Sequence, residues 1–174
     1  MIRLATSADL PEIERVMRAS LAALSAGFYD EPQTASAVRY IAVPDHQLVD
    51  DGTYFVVEED SRIIACGGWS ARRKLFTGTS DQVITDEWLD PAADAARVRA
   101  MFVDPAHARR GLGRLILNAS EEAAREAGFT VCELMATLPG VPLYRACGYE
   151  DVEPTTLHLP DGTDLGALLM RKSL

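Results

Sequence analysis

A chain of 174 residues with 48% hydrophobic content, a mean hydropathy of −0.01 and a net charge of −9 has the size and balance of one globular domain that buries a full core. The acidic balance argues against nucleic acid, which needs a basic face, and no apolar run reaches the roughly 18 residues of a membrane span. Cys66, Cys132 and Cys147, like His46, His107 and His158, lack metal-ligand spacing, so no metal site is expected and the cysteines read as buried free thiols.

Met1-Ile2-Arg3-Leu4-Ala5-Thr6 has no signal-peptide core, so the expectation is one cytoplasmic domain over residues 1–174 with no membrane partner. Residues 2–4 read as a short strand. Thr6-Ser7-Ala8-Asp9 is a capping sequence, and Pro11 suits the first helical turn. Leu10, Ile13, Met17, Leu21 and Leu24 recur at helical spacing, which predicts a helix to about Ser25. Phe28 and Tyr29 fall in the following break, either as core caps or as a wall of a substrate cavity. A second helix is predicted over residues 33–42. Residues 54–59 and 63–69 form a hairpin around Asp60-Ser61-Arg62, with Gly67-Gly68 marking a bulge or a close backbone approach.

Periodicity dissolves between Ser70 and about Ala96, and a connection this long is functional or mobile. Its Arg72-Arg73-Lys74 start reads as a solvated loop or as a site for a substrate carboxylate. Strand character returns over 97–103, where Met101, Phe102 and Val103 lead into Asp104-Pro105. The loop Ala108-Arg109-Arg110-Gly111-Leu112-Gly113-Arg114 follows, and then a helix over 112–127 with Leu112, Leu115, Ile116, Ala119 and Ala123 on one face. A helix N-terminus exposes unpaired N–H groups and the positive end of its dipole. Glycines there admit close backbone approach, and Arg109, Arg110 and Arg114 add charge suited to phosphates. The loop is not a dinucleotide fingerprint, because Ile116 stands where a small residue is needed. It is not a nucleoside-triphosphate loop either, because Gly113 is followed by Arg114-Leu115.

After a strand over 130–136 comes Thr137-Leu138-Pro139-Gly140-Val141-Pro142-Leu143-Tyr144, with Gly148 placed to end a short helix. A turn at Pro160-Asp161-Gly162 precedes a final strand over 165–172. The loop at 108–113 resembles motif A of the GCN5-related N-acetyltransferases, Gln/Arg-x-x-Gly-x-Gly/Ala, with Ala108 at the first position. The segment 137–144 resembles motif B, Asn-x-x-Ala-x-x-x-Tyr, with Thr137 and Gly140 at the Asn and Ala positions. The element order βααβββαβαββ matches the same family.

The resemblance implies an α/β (α+β) acyl-CoA N-acyltransferase fold, a mixed sheet of about six or seven strands flanked by about four helices. It implies acetyl-CoA as co-substrate and a primary amine as acceptor, of a small molecule in preference to a protein or peptide. The diphosphate would lie on the backbone amides of Ala108, Arg109, Arg110, Gly111, Leu112 and Gly113, with Arg114 and Thr137 in further contact. The pantetheine arm would pair with backbone at Met101, Phe102 and Val103 as an added strand, where an N–H would also stabilise the developing oxyanion. Tyr144 falls on the family's general acid, which protonates the departing thiolate, whereas Tyr149 reads as core. The general base is left open: family members often use a carboxylate on the fourth strand, where this chain offers Arg97 and Arg99, and Glu58, Glu59 and Glu133 read first as solvated or ion-paired. Two other readings stand beside an enzyme, namely a non-catalytic acyl-CoA sensor and an interaction module in which the loop is a plain helix start. A homodimer stays open.

Overall fold

The computed structural model describes residues 1–76 and 87–174. Its strands are β1 (Ile2–Leu4), β2 (Tyr54–Glu59), β3 (Arg62–Ser70), β4 (Ala96–Val103), β5 (Val131–Thr137), β6 (Glu150–His158) and β7 (Asp164–Ser173). Its helices are α1 (Leu10–Leu24), α2 (Glu31–Tyr40), α3 (His46–Asp50), α4 (Leu112–Glu126) and α5 (Val141–Ala146). One mixed sheet runs β1-β2-β3-β4-β5-β7-β6, antiparallel throughout except for the β4–β5 pair. The expected order is recovered, with the five-residue α3 added.

Local chemistry explains the boundaries. Asp9 accepts from the Thr6 N–H at 2.7 Å and closes the turn ahead of α1, whose buried stripe is Ile13, Val16, Met17, Ser20 and Leu21. Helix α2 starts two residues before the expected Gln33. Asp30 caps it reciprocally with Gln33, through contacts of 2.8 and 3.0 Å, and Pro32 occupies a first-turn position where no N–H is needed. Asp60 and Ser61 both take positive φ, the geometry of a tight two-residue hairpin turn.

Helices α1, α2 and α3 cover one face of the sheet around Met17, Leu48, Tyr54 and Leu165. Helices α4 and α5 cover the other around Leu117, Cys132, Leu134 and Tyr149. The α4 face differs from the expected one. Gly113, Ile116, Leu117, Ser120, Glu121 and Ala124 are buried, while Leu115 is 43% exposed. Several apolar registers compete in Leu-Gly-Arg-Leu-Ile-Leu, and packing on β3 and β4 selects the one that brings Gly113 inward. Residues 77–86 of the long connection lie outside the described residues. At its base, Arg73 donates to the Glu87 carbonyl and Leu89 to the Ala71 carbonyl, at 3.0 and 2.7 Å.

Candidate active site

The sheet divides at its single parallel pair. Strand β4 meets β5 only at Ala96↔Cys132 and Arg97↔Glu133, after which β5 continues with β7 alone while β4 stays on β3. The two strands part after Arg97, and three residues on, Ala100 with a φ of +54° breaks the extended path of β4 where the β3–β4 register shifts between Cys66 and Gly68. A non-glycine residue in this region is held there by its surroundings. Tyr54, 1% exposed, donates its hydroxyl to the Ala100 carbonyl at 2.9 Å. Gly67 supplies the space opposite, because a Cβ there would lie 3.1 Å from the Met101 Cα and 2.3 Å from its sulfur. The Gly67-Gly68 expectation of a bulge and close approach therefore holds. Beyond Arg97, the edge of β4 turned toward β5 pairs with no described strand, and such an edge accepts an extended amide-bearing chain.

Strand β4 runs into the loop through Asp104, whose carboxylate accepts from the Ala106 N–H at 3.0 Å and from Arg15 at 2.9 Å. Arg109 and Gly111 take φ of +66° and +80°, and α4 starts at Leu112. No described carbonyl accepts from the N–H groups of Arg109, Arg110, Gly111, Leu112, Gly113 or Arg114, as the first turn of a helix requires. Gly113 is buried, and a Cβ on it would meet the Leu143 side chain at 2.8 Å, so glycine sets how closely α5 sits on the head of α4. The three arginines have different surroundings. Arg110 pairs with Glu59 at 2.7 Å, which holds the Glu59 carboxyl below its usual range. Arg114 donates to the Ala146 carbonyl at 3.4 Å. Arg109 is exposed, with no charged partner among the described residues.

A cavity of about 80 Å³ lies where the two strands part, and Met101, Phe102, Thr137 and Tyr144 all line it together with Val98, Arg99 and Ala100. Tyr144 is 8% exposed and meets Tyr149 edge-on at 5.8 Å between ring centres. Burial pushes its phenol well above the ordinary range, so it keeps its proton at every physiological pH. Tyr149 is buried core, as expected.

On the α1 and α2 side the cavity is walled by Met17, Ile41, Leu75, Phe76, Met135 and Leu157. Glu133 is ion-paired with Arg97, Glu58 with Arg3 at 2.7 Å, and none of the three glutamates lines the cavity. Phe28 and Tyr29 do not line it either. The Tyr29 hydroxyl donates to the Gly166 carbonyl and accepts from the Leu138 N–H, at 2.6 and 3.0 Å, which ties the α1–α2 connection to β7. Arg72 and Arg73 are engaged by Asp51 and Glu87. Lys74 instead turns inward to Asp45, at 3.8 Å, and Asp45 also pairs with Arg99. Sequence reading named Arg99 only as an occupant of β4 and missed Asp45. The sole signal was an arginine, in place of a carboxylate, on a strand otherwise built to be buried.

A split mixed sheet whose parting strands lead to unpaired helix-head amides is the architecture of an acyl-coenzyme A N-acyltransferase. The chain belongs to the acetyltransferase (GNAT) family, whose model matches residues 15–149. Membership makes it an acyltransferase with acetyl-CoA as donor, and it removes the reading of the chain as a mere interaction module. Comparison with curated protein sequences gives no match. Among solved structures, the chain is similar to a GCN5-related N-acetyltransferase from Rhodopseudomonas palustris at 18% identity and a TM-score of 0.76, covering 100% of this chain and 95% of that one. It is similar to the PaiA N-acetyltransferase of Thermoplasma acidophilum in complex with coenzyme A at 19% and 0.68, covering 100% and 98%. It is also similar to a ribosomal-protein-alanine N-acetyltransferase from Brucella melitensis at 19% and 0.65, covering 100% and 99%. At these identities the likeness concerns the fold. Among the described residues no helix is long and apolar enough to cross a membrane.

Proposed function

We propose that the protein transfers an acetyl group to the primary amine of a small molecule by direct attack, with Tyr144 as general acid. The observation that carries this reading is the shared cavity: Tyr144, Thr137 and the free edge of β4 at Met101 and Phe102 meet in one space. The fit to coenzyme A rests on the same geometry, because the unpaired amides of Arg109 to Gly113 suit a diphosphate at the head of α4, and the N–H and C=O groups of Met101, Phe102 and Val103 suit an amide-bearing arm. When bound, acetyl-CoA supplies a thioester carbonyl open to attack by an uncharged amine. The backbone N–H groups of β4 orient that carbonyl and oppose its developing negative charge. As the N–C bond forms and the C–S bond breaks, Tyr144, which burial keeps protonated, donates its hydroxyl proton to the leaving sulfur, and the proton shed by the attacking nitrogen, passed through solvent, restores the phenol. Arg109 adds positive charge at the outer side of the diphosphate loop.

The test is to measure the melting temperature with and without acetyl-CoA, and then to follow thiol release over a panel of amines. Stabilisation that grows as RT ln(1 + [L]/Kd) is expected, together with turnover of at least one small amine. No shift at millimolar acetyl-CoA would overturn the reading, and a shift without turnover of any amine would leave binding without catalysis. Cys147 is partly accessible, so a thiol reagent needs an enzyme-only blank.

A further inference from the structure

Arg99 lines the same cavity, and among the described residues the ion cluster it belongs to carries one more cation than anion. Arg99, Asp45 and Lys74 have side chains only 2%, 4% and 16% exposed, and the three form one cluster of two cations and one carboxylate. Arg97, the neighbouring basic residue on β4, is balanced by Glu133. Arg99 also donates to the Lys74 carbonyl at 3.3 Å, which fixes the two cations side by side. Of the three, Arg99 faces the cavity, which Met17, Ile41, Phe76 and Leu157 also line. An unbalanced cation among apolar walls is costly unless an anion joins it. Arginine is suited to such a place because its guanidinium grips a carboxylate with two parallel hydrogen bonds.

We propose that the cavity binds a carboxylate on Arg99, backed by Lys74, and that the acceptor is a small amino acid carrying amine and carboxylate in one molecule. The inference rests on the acetyltransferase reading for the chemistry and on this cluster for the specificity. The acetyl donor brings no free carboxylate to the cavity, so the acceptor must supply it. A volume of about 80 Å³ suits a carboxylate and a few carbons. The acidic surface and the basic floor then act on opposite ends of a zwitterion, with the amine nearer Tyr144.

The experiment compares glycine, alanine, β-alanine and 4-aminobutyrate with their amides and with methylamine, ethylamine and propylamine, which bracket the amino acids in amine basicity. At least one acid is expected to exceed both of its carboxylate-free counterparts about tenfold or more in kcat/KM. In a second arm independent of turnover, N-acetylalanine raises the melting temperature and N-acetylalanine amide does not. Lys74→Met keeps the Arg99–Asp45 pair and so keeps the fold, and it lowers the acid-to-amide ratio toward one. The triple variant Arg99→Gln, Asp45→Asn and Lys74→Met removes the whole cluster, so that no member of it is left as a stranded charge, and it abolishes both the ratio and the N-acetylalanine shift. Equal turnover and equal stabilisation by acid and amide would overturn the proposal, as would an unchanged ratio in both variants. A preference for succinyl-CoA over acetyl-CoA with amines that lack a carboxylate would move the carboxylate to the donor and overturn the acceptor assignment. If no amine is turned over at all, the acetyltransferase reading fails, while the melting arm still reports on the carboxylate site.

Discussion

In the proposed mechanism Tyr144 bears the chemical step, and its environment defines what its removal should do. The ring is packed against Tyr149 and lines the cavity beside Thr137, so Tyr144→Phe keeps the packing and deletes only the hydroxyl. We expect kcat to fall on the order of 10²-fold, the usual contribution of a positioned acid, with the Kd of acetyl-CoA nearly unchanged. Steady-state kinetics paired with calorimetric titration measures both, and equal activity would remove Tyr144 from the mechanism. Burial raises the Tyr144 phenol above its ordinary range, so the acid stays loaded across the working range and the alkaline side of the kcat profile to about pH 10 does not report its titration.

At the scale of elements, the decisive feature is the break in β4. Gly67 on β3, the positive φ of Ala100 and the Tyr54 hydroxyl act together. Gly67→Ala places a methyl against the Met101 backbone and sulfur, and a few tenths of an ångström of yielding do not accommodate both. The expected cost is about 1–3 kcal/mol in denaturant unfolding, with weaker acetyl-CoA binding because the free edge of β4 moves. Pairing it with Met101→Ala should recover part of the stability, since the sulfur contact is then gone; a neutral Gly67→Ala would show that the strand relaxes freely. This break was half-legible in the sequence, because two adjacent glycines in a strand signal a close approach, while the opposing Ala100 carries no such signal. The loop into α4 was legible for a similar reason, since Pro105, Gly111 and the arginines are local punctuation. Helix α3 escaped because five residues show no periodicity. The buried face of α4 was displaced from the expected one because the sheet, not the helix, selects among its apolar registers. Asp45 and Arg99 lie far apart in the chain, and nothing local to either marks the other.

At the scale of the whole molecule, the buried thiols and phenols make alkaline stability a test of the packing. Burial pushes the thiols of Cys66 and Cys132 up to about 12, against roughly 8.5 in an unfolded chain. Between those values the unfolded state has lost protons that the folded state still holds, so it binds fewer, and stability falls as pH rises. Full stability on this account is present below the unfolded value. Its loss begins near pH 9, at up to about 1.4 kcal/mol per pH unit for each thiol. The window for the measurement closes near pH 10, because burial also pushes the Arg99 guanidinium down to about 10, and above that value its titration acts in the opposite sense. Tyr54, raised well above its ordinary range, adds to the decline from about 10 upward. Urea unfolding at a series of pH values from about 8 to 10, under reducing conditions, should show midpoints moving steadily downward. Cys66→Ala should flatten that slope even though it lowers stability at pH 8, because the cavity it leaves costs the same at every pH while the titration is gone. A flat profile for the native chain would mean that Cys66 and Cys132 ionise as they do in water, and that the two halves of the sheet are packed less tightly around the β4–β5 parting than their burial indicates.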